Sequence, residues 1–143
     1  MEQRVTELIE KHSSDKDLSL EEDYIEAGWD WSGVNLKGWD LHGLTLSSFT
    51  ESANFEKAVL SEANLKNVNL ERANLKGAYL VEADLEEAVL MSCDLTDAHL
   101  KLANLKNAQL ILADLTNADL HRADLEKAKL KKALLTNADM KWT

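Results

Sequence analysis

The sequence predicts an all-β solenoid, and the prediction rests on spacing. Leucine recurs every fifth residue, from Leu60, Leu65 and Leu70 without a gap to Leu135, and Met140 closes the series. Alanine stands two positions before most of these leucines, often with Asn or Asp between them. Pro is absent from all 143 residues, as expected where stacked backbone needs its N–H groups. A period of five fits neither regular element. On an α-helix each step turns by about 500°, which smears the leucines around the axis, and on a flat strand they alternate between faces. A coil with short sides does fit, each side contributing one inward leucine and one inward small residue before the chain turns a corner.

The same residues carry a family likeness. ANLKN (Ala63 to Asn67), ADLEE (Ala83 to Glu87) and ADLTN (Ala113 to Asn117) resemble the units of the pentapeptide-repeat family, whose pattern is A-[N/D]-L-x-x. The resemblance implies a right-handed quadrilateral β-helix with four repeats per coil, the leucine and the preceding small residue pointing inside. Repeats start at 29, 34, 39, 44 and 49, then at 53 and every fifth residue to 138, giving 23 in all. They fill about 5.75 coils and, at roughly 4.8 Å per stacked strand, a rod about 28 Å long. One unit departs from the pattern: Phe49 to Ser52 has four residues and puts Glu51 in the leucine position. The expected organisation is a helical hairpin cap over 1–28 and the pentapeptide-repeat β-helix over 29–143.

In the cap segment Val5, Leu8 and Ile9 share one face of a helix over Glu2 to Lys11, and His12 to Lys16 reads as a loop. Ser19 and Glu22 form a capping box for a second helix, from about Leu20 to Ala27, which Gly28 stops. A solenoid exposes backbone and core at each end, so terminal elements are expected to be atypical and to cover them. Trp29, Val34, Trp39, Leu44 and Phe49 replace the small inward residue in the first coil and read as a plug beneath the helices.

Charge separates the function classes. The formal net charge is −10. Some members of the family that this chain resembles imitate DNA in shape and charge, bind DNA gyrase and protect it from quinolones. A duplex mimic must present a dense negative field. Here Glu2, Glu7, Glu10, Asp15, Asp17, Glu21, Glu22, Asp23 and Glu26 concentrate the acidity before residue 29, and the densest acidic group in the coils is only Asp84, Glu86 and Glu87. A DNA-mimicking regulator of a DNA-binding enzyme such as gyrase is therefore the alternative reading. No Gly-rich phosphate loop, Ser-His-Asp spacing or Cys-x-x-Cys motif occurs, so no enzyme, cofactor or metal is expected. Counting the repeats in order places His42, His99 and His121 on one wall with Asp119 near His99, but a flat wall has no pocket to exclude water. Cys93 replaces an inward alanine and reads as a small core residue.

The preferred reading is a non-enzymatic scaffold or protein-protein interaction module. The residue between Ala and Leu is Asn or Asp in most alternate repeats, whereas Val59, Tyr79, Val89, His99, Gln109 and Lys129 occupy it in the others. This ten-residue superperiod makes one pair of opposite faces unlike the other. On the face begun by Trp29, the candidate protein-binding patch is Val89 and Met91 with Ile111 and Leu112 one coil away, and the same face ends in Lys129, Lys131 and Lys132. The expected partner is an unidentified protein, with neither nucleic acid nor membrane. With no signal-peptide pattern and no spanning apolar run, a cytoplasmic location is expected. The repeats run to Met140 with only Lys141, Trp142 and Thr143 after them, so Met140 and Trp142 mark a candidate dimer end: either Trp142 folds back as a plug or two chains meet end to end.

Overall fold

Each five-residue unit forms one straight side of a coil, and the sides stack through parallel bridges. The computed structural model describes residues 3–18, 29–46 and 52–143. Bridges run Asn64 to Asp84 to Asn104 to Asp124 along one side and Asn69 to Val89 to Gln109 to Lys129 along the next. Because partners lie 20 residues apart, four sides close each coil. The first side comprises 29–33, 53–57, 73–77, 93–97, 113–117 and 133–137. The second comprises 34–38, 58–62, 78–82, 98–102, 118–122 and 138–142. The third comprises 39–43, 63–67, 83–87, 103–107 and 123–127. The fourth opens at 44–46 and continues through 68–72, 88–92, 108–112 and 128–132.

The local sequence dictates this geometry. On each side the backbone around the outward residue is shared with the coils before and after: Asp84 N–H donates to Ala63 O at 3.0 Å in the coil before, and Leu85 N–H donates to Asn104 O at 2.7 Å in the coil after. At the corner the next alanine's N–H returns to the leucine carbonyl, as from Ala63 to Leu60 at 3.2 Å. The residue just before that alanine takes a left-handed conformation, as at Glu62 (φ 62°) and Leu112 (φ 62°). A type II turn demands positive φ at its third position. No Val, Ile or Thr occupies any of these corner positions among the described residues, in keeping with the steric cost of a β-branched side chain there.

Inside, every alanine and leucine at the two inward positions of the repeats from Ala58 to Ala123 is buried, and Val68 and Cys93 fill two of the alanine places. Each buried leucine contributes about 1.5–3 kcal/mol. In the last coil Leu125, Leu130, Leu135 and Met140 are only partly buried. Helix α1 spans Gln3–Lys11 and sets Val5 and Leu8 into the core, with Ile9 packed against it. The bridge ladder begins before residue 29: Leu18 N–H donates to Asp40 O and Asp40 N–H to Lys16 O, both at 2.7 Å. The expected second helix and its capping box fall outside the described residues, as do Phe49 and Glu51.

The register corrects one expectation. Asp30 bridges Asn54 across 24 residues, so it is residues 53–57, and not the unit starting at 49, that stack on the side begun by Trp29. Counting that unit as a side advanced every later unit by one face. Val89, Gln109 and Lys129 consequently stack above Thr45 and Asn69 on the fourth side, not on the side begun by Trp29. For the same reason His42 lies on the third side while His99 and His121 lie on the second. The ladder holds five full coils and half of a sixth.

Candidate protein-binding face

The outward Asn and Asp residues serve the corners. The first residue after each leucine has an N–H that the ladder does not use, and the Asx side chain two positions earlier accepts it. Glu56 N–H donates to Asn54 Oδ1 at 3.1 Å, Thr96 N–H to Asp94 Oδ1 at 2.9 Å and Glu126 N–H to Asp124 Oδ1 at 3.0 Å. Such Asx turns fix the corner locally. On the first and third sides this chemistry runs almost unbroken, with side-chain ladders between coils such as Asn74 Nδ2 to Asn54 Oδ1 at 3.0 Å. On the second and fourth sides it lapses at Val59, Tyr79, His99, Val89, Gln109 and Lys129, which frees those positions for other side chains.

Charge on the third side is paired internally. Lys66 Nζ sits 3.2 Å from Asp84 and 3.1 Å from Glu86, and Lys106 Nζ sits 3.2 Å from Asp124 and 3.5 Å from Glu126. Glu86 and then Asp84 raise the Lys66 pKa, and Asp124 does the same for Lys106. The Asp124 carboxyl is held low first by the Glu126 N–H and then by Lys106. One lysine thus offsets one of the two charges of Asp84 and Glu86, which dilutes the dense negative field that a duplex mimic requires.

The fourth side differs. Sides 88–92 and 108–112 contain no charged residue, and nowhere else among the described residues do two such sides stack directly. Val89, Met91 and Ile111 are partly exposed there and Leu112 is 54% exposed. The carbonyls beneath are engaged, since Met91 O accepts from Arg72 N–H and Ile111 O accepts from Ser92 N–H, while the Asx acceptor that would take the Met91 and Ile111 N–H groups is missing at Val89 and Gln109. The structure therefore brings together the four residues of the expected patch. On the next coil Lys129, Lys131 and Lys132 are exposed and make no ion pair among the described residues. The fourth side is the one described side on which bases outnumber acids, Glu71 standing against Arg72 and these three lysines.

Other candidates carry less chemistry. On the second side Tyr79 stacks on His99 at 4.7 Å, but the Asp119 carboxylate caps His121 N–H at 3.0 Å, and no group of three potential metal ligands forms among the described residues. A shallow groove near Lys16, Asn35 and Trp39 is spanned by the Lys37 to Glu62 ion pair at 3.0 Å. Cys93 is buried, its Sγ donates to Leu70 O at 2.8 Å, and burial pushes its thiol up to about 12. Trp142 takes the left-handed corner (φ 63°) and is 82% exposed, so it does not plug the last coil; Met140 stays partly buried. Among the described residues no helix is long and apolar enough to cross a membrane.

The comparisons agree with this geometry. The family model described as pentapeptide repeats matches eight copies over segments 53–91, 69–107, 93–131 and 113–143. HetL from the cyanobacterium Nostoc sp. strain PCC 7120, a pentapeptide-repeat protein involved in heterocyst differentiation regulation, is 30% identical with a TM-score of 0.52. The match covers 78% of this chain and 55% of HetL, so the chain spans about half that protein's length. Two trypsin-treated variants of QnrB1, a plasmid-mediated fluoroquinolone resistance protein, are 19% and 18% identical with TM-scores of 0.56 and 0.58, each match covering 78% of this chain and 70% of QnrB1. These relatives imply that the four-sided coil is the right-handed quadrilateral β-helix. Among curated proteins no sequence match was found.

Proposed function

The chain belongs to the pentapeptide-repeat family, and from that premise we propose that it is a non-enzymatic protein-interaction module whose fourth side is the docking face. The observation that carries this reading is the uncharged double level of Val89, Met91, Ile111 and Leu112 on an otherwise charged rod. A contiguous exposed apolar group of this kind marks a contact surface. The family's proteins are in general structural or interaction proteins, and HetL is regulatory. Affinity capture from a native lysate tests the proposal. A partner retained by the wild type should be lost by the double variant Ile111→Ser/Leu112→Ser, with its melting curve unchanged. Retention by that variant would refute the assignment of the face.

A gyrase regulator is the second reading, and the net charge of −10 favours it. Against it stand the paired carboxylates of the third side and the basic excess of the fourth. Inhibition of supercoiling by purified gyrase in the presence of the protein would reverse this preference. A second copy is also proposed as a partner at the last coil, where Leu125, Leu130 and Leu135 are only partly covered and Met140 and Trp142 lie at the rim.

A further inference from the structure

Resting on the fourth side as the docking face, we infer that the partner presents an acidic amphipathic α-helix that lies along the rod axis. Its apolar stripe would cover Val89, Met91, Ile111 and Leu112, and its carboxylates would meet Lys129, Lys131 and Lys132. The dimensions fit one helix. Three extended residues make a side about 10 Å wide, close to the diameter of an α-helix with its side chains. Successive coils are about 4.8 Å apart, near the 5.4 Å pitch of a helix. Over two coils the two repeats therefore stay nearly in step, and leucine-like side chains one turn apart fall between the outward residues of successive coils. An added β-strand is disfavoured at these levels because the Met91 and Ile111 carbonyls already accept from the preceding coil, which leaves a strand no acceptor beside the N–H groups of those two residues.

Charge selects the sign and direction. The three lysines have no partner ion within the described chain. They stand one coil beyond Ile111, at the end of the uncharged strip. A carboxylate on the partner's next turn reaches them, and a helix C-terminus there is favoured further by its own dipole. The acids on the adjoining walls, such as Asp94 and Glu87, repel an acidic helix that strays from the strip and so hold it in register. Met91 supplies a polarisable, adaptable contact of the kind found on helix-binding surfaces.

The test uses the full chain and two synthetic helical peptides of about 16 residues, long enough for the strip at the rise per residue of a helix. Both have leucine at i, i+3, i+4 and i+7, with either glutamate or lysine as the remaining charged residue. Fluorescence anisotropy should show the glutamate peptide binding at least about tenfold more tightly than its lysine twin, and more weakly as salt rises. The triple variant Lys129→Glu/Lys131→Glu/Lys132→Glu should weaken it at least about tenfold, and Ile111→Ser/Leu112→Ser should abolish it, the serine at 112 copying Ser92 one coil earlier. Equal binding of the two peptides, no binding of the glutamate peptide, or an unchanged affinity in the triple variant would overturn the inference. A lysate partner lost by the double serine variant but kept by the triple variant would leave the docking face standing and remove the acidic helix alone.

Discussion

At the scale of single residues, the interior leucine and the corner residue do different work, and substitutions should separate them. Leu85 is buried in a dry column between Leu65 and Leu105. Leu85→Asp places an unpaired charge there and should abolish cooperative unfolding, at a cost of several kcal/mol. A soluble variant with an unchanged melting transition would contradict the inside/outside assignment. The corner carries a different constraint. Leu102 has φ 61° and is 41% exposed, so its side chain contributes little packing and its backbone matters more. Leu102→Asn should be neutral or slightly stabilising, whereas Leu102→Val should cost about 1–3 kcal/mol because a β-branched residue resists positive φ. Chemical denaturation of the two variants distinguishes these outcomes. Cys93 gives a pH signature. Its folded pKa is raised above the unfolded value of about 8.5, so the unfolded chain loses the thiol proton first. The stability tied to Cys93 is intact below about pH 8.5 and falls as pH climbs from there toward about 12. Melting curves from neutral to alkaline pH should therefore decline more steeply for the wild type than for Cys93→Ala, and parallel declines would contradict the burial of the thiol.

At the scale of the element, the period of five revealed the coil side, its inward pair and its Asx corner, because each is a local consequence of one pentapeptide. The superperiod of ten also survived: the first and third sides keep the Asx ladders while the second and fourth abandon them. The face assignment failed because it depends on whether the unit at 49–52 closes a side, which no local rule decides. A signal was nonetheless present. Trp31 and Phe55 are the only aromatic residues in leucine positions, and their rings stack at 5.5 Å from one coil to the next. The patch itself was legible because Val89, Met91, Ile111 and Leu112 stay together under either count. The lysines' isolation from carboxylates was not, since ion pairs such as Lys66 to Asp84 join residues in different coils. The rung at Lys16 to Leu18 was also hidden, as a lone Asp17 has no repeat around it. That rung and α1 cover the first coil from below, and we propose that residues 1–28 act as its cap. Deleting them should expose Leu41 and the edge of the third side and promote aggregation. A truncated chain that stays monomeric and equally stable would instead make that segment available for partner binding.

At the scale of the molecule, the rod is acidic overall yet carries its charge unevenly, and its two ends differ. In the last coil the N–H groups of Leu125, Leu130, Leu135 and Met140 have no backbone partner among the described residues, and an exposed Trp142 stands at the rim. Such an edge favours self-association, and a contact of this size lies near the lower limit for a stable interface. Light scattering across a concentration series should show a dimer that dissociates on dilution and weakens in Trp142→Ala, because a buried Trp often dominates contact energy. A monomer mass at every concentration would remove the dimer. The central claim, that one wall of a four-walled rod is the binding face, has a more direct test. A photo-cross-linking amino acid can replace Thr96, Lys101, Lys106 or Ile111 in turn, which are equivalent corner positions on the first, second, third and fourth sides of a single coil. Irradiated in native lysate, the protein should form a discrete adduct from position 111 and none from the other three. Adducts of equal yield from all four walls, or from another wall in preference to the fourth, would contradict the account.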